Sequence, residues 1–165
     1  MTITATWVFA LMTAIRVLFG EAPADWSDTY GETAVAVAKG CESAPLSGGG
    51  SDWCAVLLVE QAWHESRFNA RASHDHGAGF GLFGMQAGTL GRRVPEDVAG
   101  QVMAEIGLLQ TSFRICARHP LDERLGWYAA GGNGCERRLE LSKYRMHEAA
   151  RLLRAHPVEV VVARE

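Results

Sequence analysis

The sequence predicts a mainly α-helical domain with irregular glycine-rich loops and little or no β-sheet. Several segments repeat apolar residues with a period close to 3.6, which is typical of amphipathic helices. The only β-branched run is Val158 to Val162, at the tail of the chain. A length of 165 residues suits a single domain spanning 1–165 with one hydrophobic core.

The first predicted element is an apolar stretch from Trp7 to Phe19. Residues 1–24 therefore form either an additional N-terminal helix or a weak signal-like segment, in which Ala22-Pro23-Ala24 resembles a cleavage site. No basic residue precedes the apolar stretch and Arg16 interrupts it, so we favour an ordinary buried helix. The stretch is also too short and too charged to predict a stable membrane span.

Four further helices are predicted from apolar spacing and from residues that commonly begin or end helices. They cover residues 33–41, 53–68, 95–118 and 142–154. Ser51 and Asp52 are the expected N-cap of the second of these helices, and Pro95 suits the first turn of the third. Two glycine-rich loops, 77–84 and 131–134, separate the helices, and such loops commonly carry function.

Charge and cysteine content exclude some classes of function. The net charge is −3 and basic residues are not clustered, which argues against nucleic acid as a partner. The four cysteines form no C-x-x-C pair, so a zinc ribbon or a thioredoxin-like site is not favoured. Two disulfides in an oxidising compartment and four buried thiols in the cytosol fit the sequence equally well, and the sequence does not select among three possible pairings.

The most informative residue is Glu65, near the end of the helix predicted at 53–68. Leu58, Ala62 and Phe68 lie around it at helical spacing, so its carboxyl group is expected on an apolar face. Burial and the negative end of the helix dipole would both favour the protonated form. A protonated glutamic acid can donate its proton to a leaving oxygen near neutral pH. An isolated glutamate at a helix end would more often be a partly exposed side chain without a catalytic role.

The residues that follow Glu65 resemble the signature of lytic transglycosylases. The match consists of three elements in order, an E-S-x-F helix end, a G-A pair with a G-L-M-Q-like turn, and a Y-N-A-G-like segment. They correspond here to Glu65-Ser66-x-Phe68, to Gly77-Ala78 with Gly81-Leu82-Phe83-Gly84-Met85-Gln86, and to Trp127-Tyr128-Ala129-Ala130-Gly131. The resemblance covers residues 55–131, which would form the catalytic core.

This resemblance implies a lysozyme-like fold that binds peptidoglycan glycan strands without a cofactor or a metal. Glu65 would be the single catalytic acid and base, cleaving the bond between N-acetylmuramic acid and N-acetylglucosamine and leaving a 1,6-anhydro end. Such an enzyme would act in the periplasm or cell wall after export or delivery, for example with a phage tail or a secretion machine as partner.

Further roles follow from the resemblance, position by position. Tyr128 would hold the Glu65 carboxyl group in place. The expected substrate-binding residues are Ser66, Gly81, Leu82, Phe83, Gln86, Ala130 and Gly131. Two departures from the family pattern affect these roles. The turn is longer, so that Gly84-Met85-Gln86 is an alternative equivalent of G-L-M-Q, and Ala129 replaces the asparagine of Y-N-A-G.

Three alternatives remain open. Asp75 could serve as a second carboxylate, which would make the enzyme a hydrolytic muramidase. The chain could instead be a peptidoglycan-binding or structural module with little activity. His74-Asp75-His76 has the residue types of a metal site, although a solvated loop is the favoured interpretation because adjacent ligands need others from elsewhere.

Overall fold

The computed structural model describes residues 2–23, 25, 27–74, 78–91 and 93–158. Within these ranges the chain is mainly helical, which confirms the predicted fold class. The α-helices are α1 (Ala5–Leu18), α2 (Asp28–Ser43), α3 (Gly50–Ser66), α4 (Ala87–Leu90), α5 (Val98–Ile115), α6 (Gly126–Ala129) and α7 (Leu139–Ala155). A 3-10 helix, Leu121–Glu123, precedes α6.

The first helix belongs to the hydrophobic core. Val8, Leu11, Met12 and Ile15 share one face of this helix and are fully buried. They face α2 and α3, and the indole Nε1 of Trp7 donates a hydrogen bond to the carbonyl oxygen of His156, 2.9 Å away. The favoured interpretation of this segment as a buried helix therefore agrees with the structure. None of the described helices is long and apolar enough to cross a membrane.

The central helix is α3, and every residue from 54 to 63 is buried. This continuous burial arises because α1, α2, α5 and α7 all pack around it. The helix ends at Ser66, where Arg67 and Phe68 adopt left-handed backbone conformations with φ of 54° and 63°. The buried Phe68 ring then packs against Trp63, which fixes the position of the last turn of α3.

All four predicted helix starts are wrong by a few residues, because the helices predicted from residues 33, 53, 95 and 142 begin at residues 28, 50, 98 and 139. The helix α3 begins at Gly50, so Asp52 lies in the first turn. The positive end of the helix dipole still stabilises its carboxylate there. The helix α5 begins at Val98, because the Asp97 side chain caps it by accepting a hydrogen bond from the Gly100 amide at 2.7 Å. Pro95 therefore lies before the helix.

The described β-structure is one small antiparallel sheet within and beside the first glycine-rich loop. Its strands, β1 (Ser73–His74), β2 (Gly79–Phe80) and β3 (Met85–Gln86), pair in the order β1-β2-β3. The expectation of little β-sheet is therefore right. Of the run from 158 to 162, only Val158 lies within the described residues.

All four cysteines form disulfides. Cys41 pairs with Cys54, joining the end of α2 to the start of α3. Cys116 pairs with Cys135, joining the end of α5 to the loop before α7. Of the two cysteine interpretations, the structure therefore contains the disulfide form.

Candidate active site

A cavity of about 420 Å³ lies where the end of α3 meets α5, α6, α7 and the β2–β3 turn. Five of the residues predicted from the sequence line it, namely Glu65, Phe83, Gln86, Tyr128 and Gly131. They come from three segments that are well separated along the chain. The fold thus brings the helix end, the glycine-rich turn and the Trp127-containing segment to one place.

Glu65 lies at the rim of this cavity rather than in the core. Its side chain is 36 % exposed, and its Oε1 is 3.1 Å from the Nη2 of Arg145. The expectation that Glu65 is buried among apolar neighbours is therefore wrong, because the cavity opens beside the last turn of α3.

Arg145, on α7, bridges two carboxyl groups. Besides Glu65 it contacts Glu60, whose Oε1 is 3.3 Å from the Arg145 Nη1. Glu60 lies five residues before Glu65 on α3 and is fully buried. Burial raises the pKa of Glu60 well above its ordinary value, and the Arg145 guanidinium opposes this shift. Arg145 thus couples a buried carboxyl group to the exposed one.

The same network continues to a histidine. The Nε2 of His64 lies 2.6 Å from Oε2 of Glu148 and 3.3 Å from Oε1 of Glu60. Burial lowers the pKa of His64, and the hydrogen bond with Glu148 opposes this change. The three ligand atoms lie within 4.8 Å of one another, a spacing that could hold a metal ion. The Arg145 guanidinium, however, contacts the same Glu60 oxygen and would repel a divalent cation, so we interpret the cluster as an ion-pair network.

Ser66, Gly81 and Leu82 support the site from behind and do not line the cavity. The Ser66 hydroxyl donates to the carbonyl oxygen of Leu82 at 2.8 Å, and the Leu82 amide donates to Oε1 of the buried Gln101, also at 2.8 Å. Both backbone groups of Leu82 are thus already used within the protein. Ser66 and Leu82 thus attach the β2–β3 turn to α3 and α5, whereas the Gly81 amide donates to the carbonyl oxygen of Ala72 at 2.9 Å. The contacts of these three residues with substrate stay predictions.

The turn presents its later residues to the cavity. Phe83 is almost fully buried and forms a wall, whereas Gln86 is exposed at the start of α4. Gly84 and Met85 also line the cavity. This placement favours Gly84-Met85-Gln86 as the part of the turn that faces a ligand. The candidate second carboxylate, Asp75, and the metal candidates Asp75 and His76 lie outside the described residues, as does Gly77.

The segment from Trp127 to Gly131 forms a further wall of the cavity. The backbone amide of Tyr128 donates to the Ser112 hydroxyl of α5 at 3.1 Å, which fixes the short helix α6. Trp127 and Gly131 line the cavity, whereas Ala130 does not. Gly126 packs so closely that a Cβ there would lie 2.1 Å from the carbonyl oxygen of Cys135. The Cys116–Cys135 disulfide therefore supports this wall.

Sequence reasoning missed one further carboxyl group that lines the cavity, Glu105 on α5. The residue is fully buried, and burial raises its pKa to about 8, with the Tyr128 phenol acting in the opposite direction. Val102 and Leu109, which share its helix face, are also fully buried. A glutamate within a predicted apolar stripe was the available signal, because such a group is rarely buried without a specific reason.

The chain matches no protein-family model, no curated protein and no solved structure. The cavity and its charged groups are therefore the basis for assigning a function. They combine a half-exposed carboxylate, a guanidinium, a buried carboxyl group and an aromatic wall. This set suits acid–base chemistry on an uncharged polar ligand.

Proposed function

We propose that this chain cleaves the glycan strand of bacterial peptidoglycan as a lytic transglycosylase. One observation carries the proposal. The three segments that resemble the family signature meet at a single cavity, with the Glu65 carboxyl group at its rim. The half-buried Trp127 supplies an aromatic wall of the kind that packs against sugar rings.

The chemistry assigns both proton transfers to Glu65. In its protonated form, Glu65 donates a proton to the glycosidic oxygen as the bond between that oxygen and C1 of the muramic acid breaks. The resulting carboxylate accepts the proton of the muramic acid 6-hydroxyl, whose oxygen bonds to C1 and closes the anhydro ring. Arg145 stabilises the carboxylate between the two steps. Neither step requires a cofactor.

The carboxyl groups of the cavity support this single-residue scheme. Hydrolysing glycosidases use two carboxyl groups that both reach the substrate. Among the described residues, Glu65 and Glu105 line the cavity, and the fully buried Glu105 has no surface to offer a sugar. Intramolecular attack by the 6-hydroxyl removes the need for a second exposed carboxylate.

A second candidate function has one observation in its favour. The Glu65 carboxyl group is already engaged by the Arg145 guanidinium, with Oε1 3.1 Å from Nη2, an arrangement that can hold a side chain in place for ligand binding. A peptidoglycan-binding module with little activity could retain this ion pair, because its function does not depend on proton transfer by Glu65. Arg145 would then contribute to ligand binding rather than to catalysis.

The substitution Glu65→Gln separates the two functions. In a transglycosylase it lowers the release of soluble fragments from peptidoglycan sacculi by at least about 10²-fold, the usual contribution of a general acid and base. Binding to sacculi, measured by co-sedimentation, persists because the amide keeps the shape of the side chain. Glu32→Gln is the matched control, since Glu32 is exposed on α2 and does not line the cavity. Fragment release that is equal in both variants would contradict the proposal.

A further inference from the structure

The Arg145 guanidinium has an inner contact with Glu60 and an outer contact with Glu65. Its Nη1 lies 3.3 Å from Oε1 of Glu60, and its Nη2 lies 3.1 Å from Oε1 of Glu65. The Arg145 side chain is 11 % exposed, the Glu60 side chain has no exposed surface, and the Glu65 side chain is 36 % exposed. The two distances are similar, so the difference between the contacts lies in the surroundings of the two carboxyl groups.

The inner contact belongs to a set of polar contacts between α3 and α7. Glu60 and His64 lie four residues apart on α3, and Arg145 and Glu148 lie three residues apart on α7, so each pair shares a helix face. Nε2 of His64 lies 2.6 Å from Oε2 of Glu148 and 3.3 Å from Oε1 of Glu60. Two neighbouring side chains of α3 therefore meet two of α7, which fixes the position of one helix along the other.

The burial of Glu60 makes the inner contact much harder to exchange than the outer one. Water cannot take the place of Arg145, because the Glu60 side chain has no exposed surface. Oε2 of Glu60 makes no hydrogen bond with any described residue, so the contacts at Oε1 carry the whole compensation for burying this group. Glu65, in contrast, lies at the cavity rim, where water or a ligand can replace Arg145. Arg145 thus has a permanent partner in Glu60 and an exchangeable one in Glu65.

We propose that Glu60 is a positioning residue that holds the Arg145 guanidinium from inside, so that its second nitrogen stays directed at the Glu65 carboxyl group. The donors of a guanidinium form a rigid planar fork, so fixing Nη1 also fixes the direction of Nη2. Glu60 is not among the cavity-lining residues and acts on the site only through Arg145. The effect on glycan cleavage rests on the proposed function, whereas the unequal hold of the two contacts is a property of the free protein.

Matched substitutions at the two ends of the guanidinium test this assignment without any substrate. In protein labelled with ¹⁵N-arginine, a guanidinium held by hydrogen bonds rotates slowly and gives separate Nη resonances. Those of Arg145 are identified by their absence from Arg145→Lys. We expect separate resonances in the wild type and in Glu65→Met. In Glu60→Met they should merge, with rotation at least about 10-fold faster, because a hydrogen bond to a charged group is lost. An equal or larger effect of Glu65→Met would overturn the inference.

Glu148→Met is the control for general damage to the contact between α3 and α7. Glu148 is buried, and its carboxyl group contacts His64 and Arg151 rather than Arg145. This variant should therefore leave the Arg145 resonances separate, as should Glu60→Gln, whose amide oxygen still accepts from Nη1. Merged resonances in Glu148→Met would overturn the specific role of Glu60. If Glu60→Met fails to fold, Glu65→Met remains decisive, because merged resonances there contradict a hold from inside and separate ones support it.

Fragment release from sacculi distinguishes this inference from the proposed function. Glu60→Met should lower the maximal rate at least about 10-fold, whereas Glu60→Gln restores most of it. The amount of sacculi that gives half the maximal rate should not change, because Glu60 does not line the cavity. Absence of glycan cleavage by the wild type, together with the expected Arg145 resonances, would reject the function and support the inference. Cleavage by folded Glu60→Met at the wild-type rate would support the function and overturn the inference.

Discussion

Arg145 lies between two carboxyl groups of very different exposure. Glu60 is completely buried, whereas the Glu65 side chain is 36 % exposed at the cavity. A guanidinium group can serve both, since its planar fork presents several donors in fixed directions. Arg145 is thus expected to hold Glu65 in place and to offset the cost of burying Glu60.

Arg145→Met should therefore destabilise the protein by about 3 kcal/mol, because a buried carboxyl group loses its partner. The double variant Arg145→Met/Glu60→Gln should recover most of this loss, since the amide carries no charge. Urea unfolding at pH 7 measures both changes. Arg151→Met is the control. Like Arg145, Arg151 contacts a buried carboxyl group, that of Glu148, but its own side chain is 57 % exposed. An equal loss in the single and double variants would contradict this role.

At the scale of single residues, the sequence predicted Glu65 and Tyr128 but not the groups that act on them. Motif residues are recognisable because they stand in order along the chain. Arg145 is 80 residues away from Glu65, and its position beside Glu65 depends on how α7 packs against α3. The exposure of the Glu65 side chain depends on the same packing. Helical spacing alone therefore predicted apolar surroundings for a side chain that is partly exposed.

The turn between β2 and β3 is the element on which the cavity depends most. Gln101 reaches into it from α5, accepting from the Leu82 amide and donating to the carbonyl oxygen of Ala70 at 3.1 Å. Gly81 permits this approach, with φ of 83° and no side chain in the way. A Cβ there would lie 2.4 Å from the Gln101 Oε1.

Gly81→Ala should therefore destabilise the protein by about 2 kcal/mol or more, since it adds a backbone penalty and forces the buried, hydrogen-bonded Gln101 side chain to move. Thermal unfolding measures the change. Gly88→Ala provides the matched control, because a Cβ at this position in α4 meets no atom within 4 Å. Alanine there should leave stability unchanged or slightly raised, as expected for a helix. Equal destabilisation by the two substitutions would contradict the importance of the turn.

At the scale of elements, helices were predictable and the small sheet was not. The spacing of apolar residues predicts α1, α3, α5 and α7. Each of these helices buries one face or its whole surface, and buried positions require apolar side chains. The exact starts of α3 and α5 depend on a glycine turn and on the Asp97 cap. The strands are two residues long and glycine-rich, so they leave no alternating pattern in the sequence.

The two disulfides of the molecule have different relations to the cavity. Cys116–Cys135 closes a span of 19 residues that includes the wall formed by α6 and Gly131. Cys41–Cys54 closes a span of 13 residues that includes none of the cavity-lining residues. The sequence could not choose this pairing, because the distances between cysteines arise only when the helices have packed.

Replacing either cysteine pair with serine should lower stability by about 3 kcal/mol, from the greater freedom of the unfolded chain. The pair Cys116→Ser/Cys135→Ser should also reduce fragment release from sacculi, measured well below the unfolding temperature, because it loosens a cavity wall. Cys41→Ser/Cys54→Ser is the control for stability alone. Equal activities of the two folded variants would contradict the proposed role of the second disulfide.

The most direct test of the central claim is mass spectrometry of the soluble products formed from purified sacculi by the wild-type protein and by Glu65→Gln. We predict muropeptides that end in 1,6-anhydro-muramic acid with the wild type, and their loss with Glu65→Gln. Products with reducing ends would contradict the transglycosylase reaction and direct attention to Asp75 as a second carboxylate. Protein that sediments with sacculi and releases no glycan fragment would contradict glycan cleavage altogether.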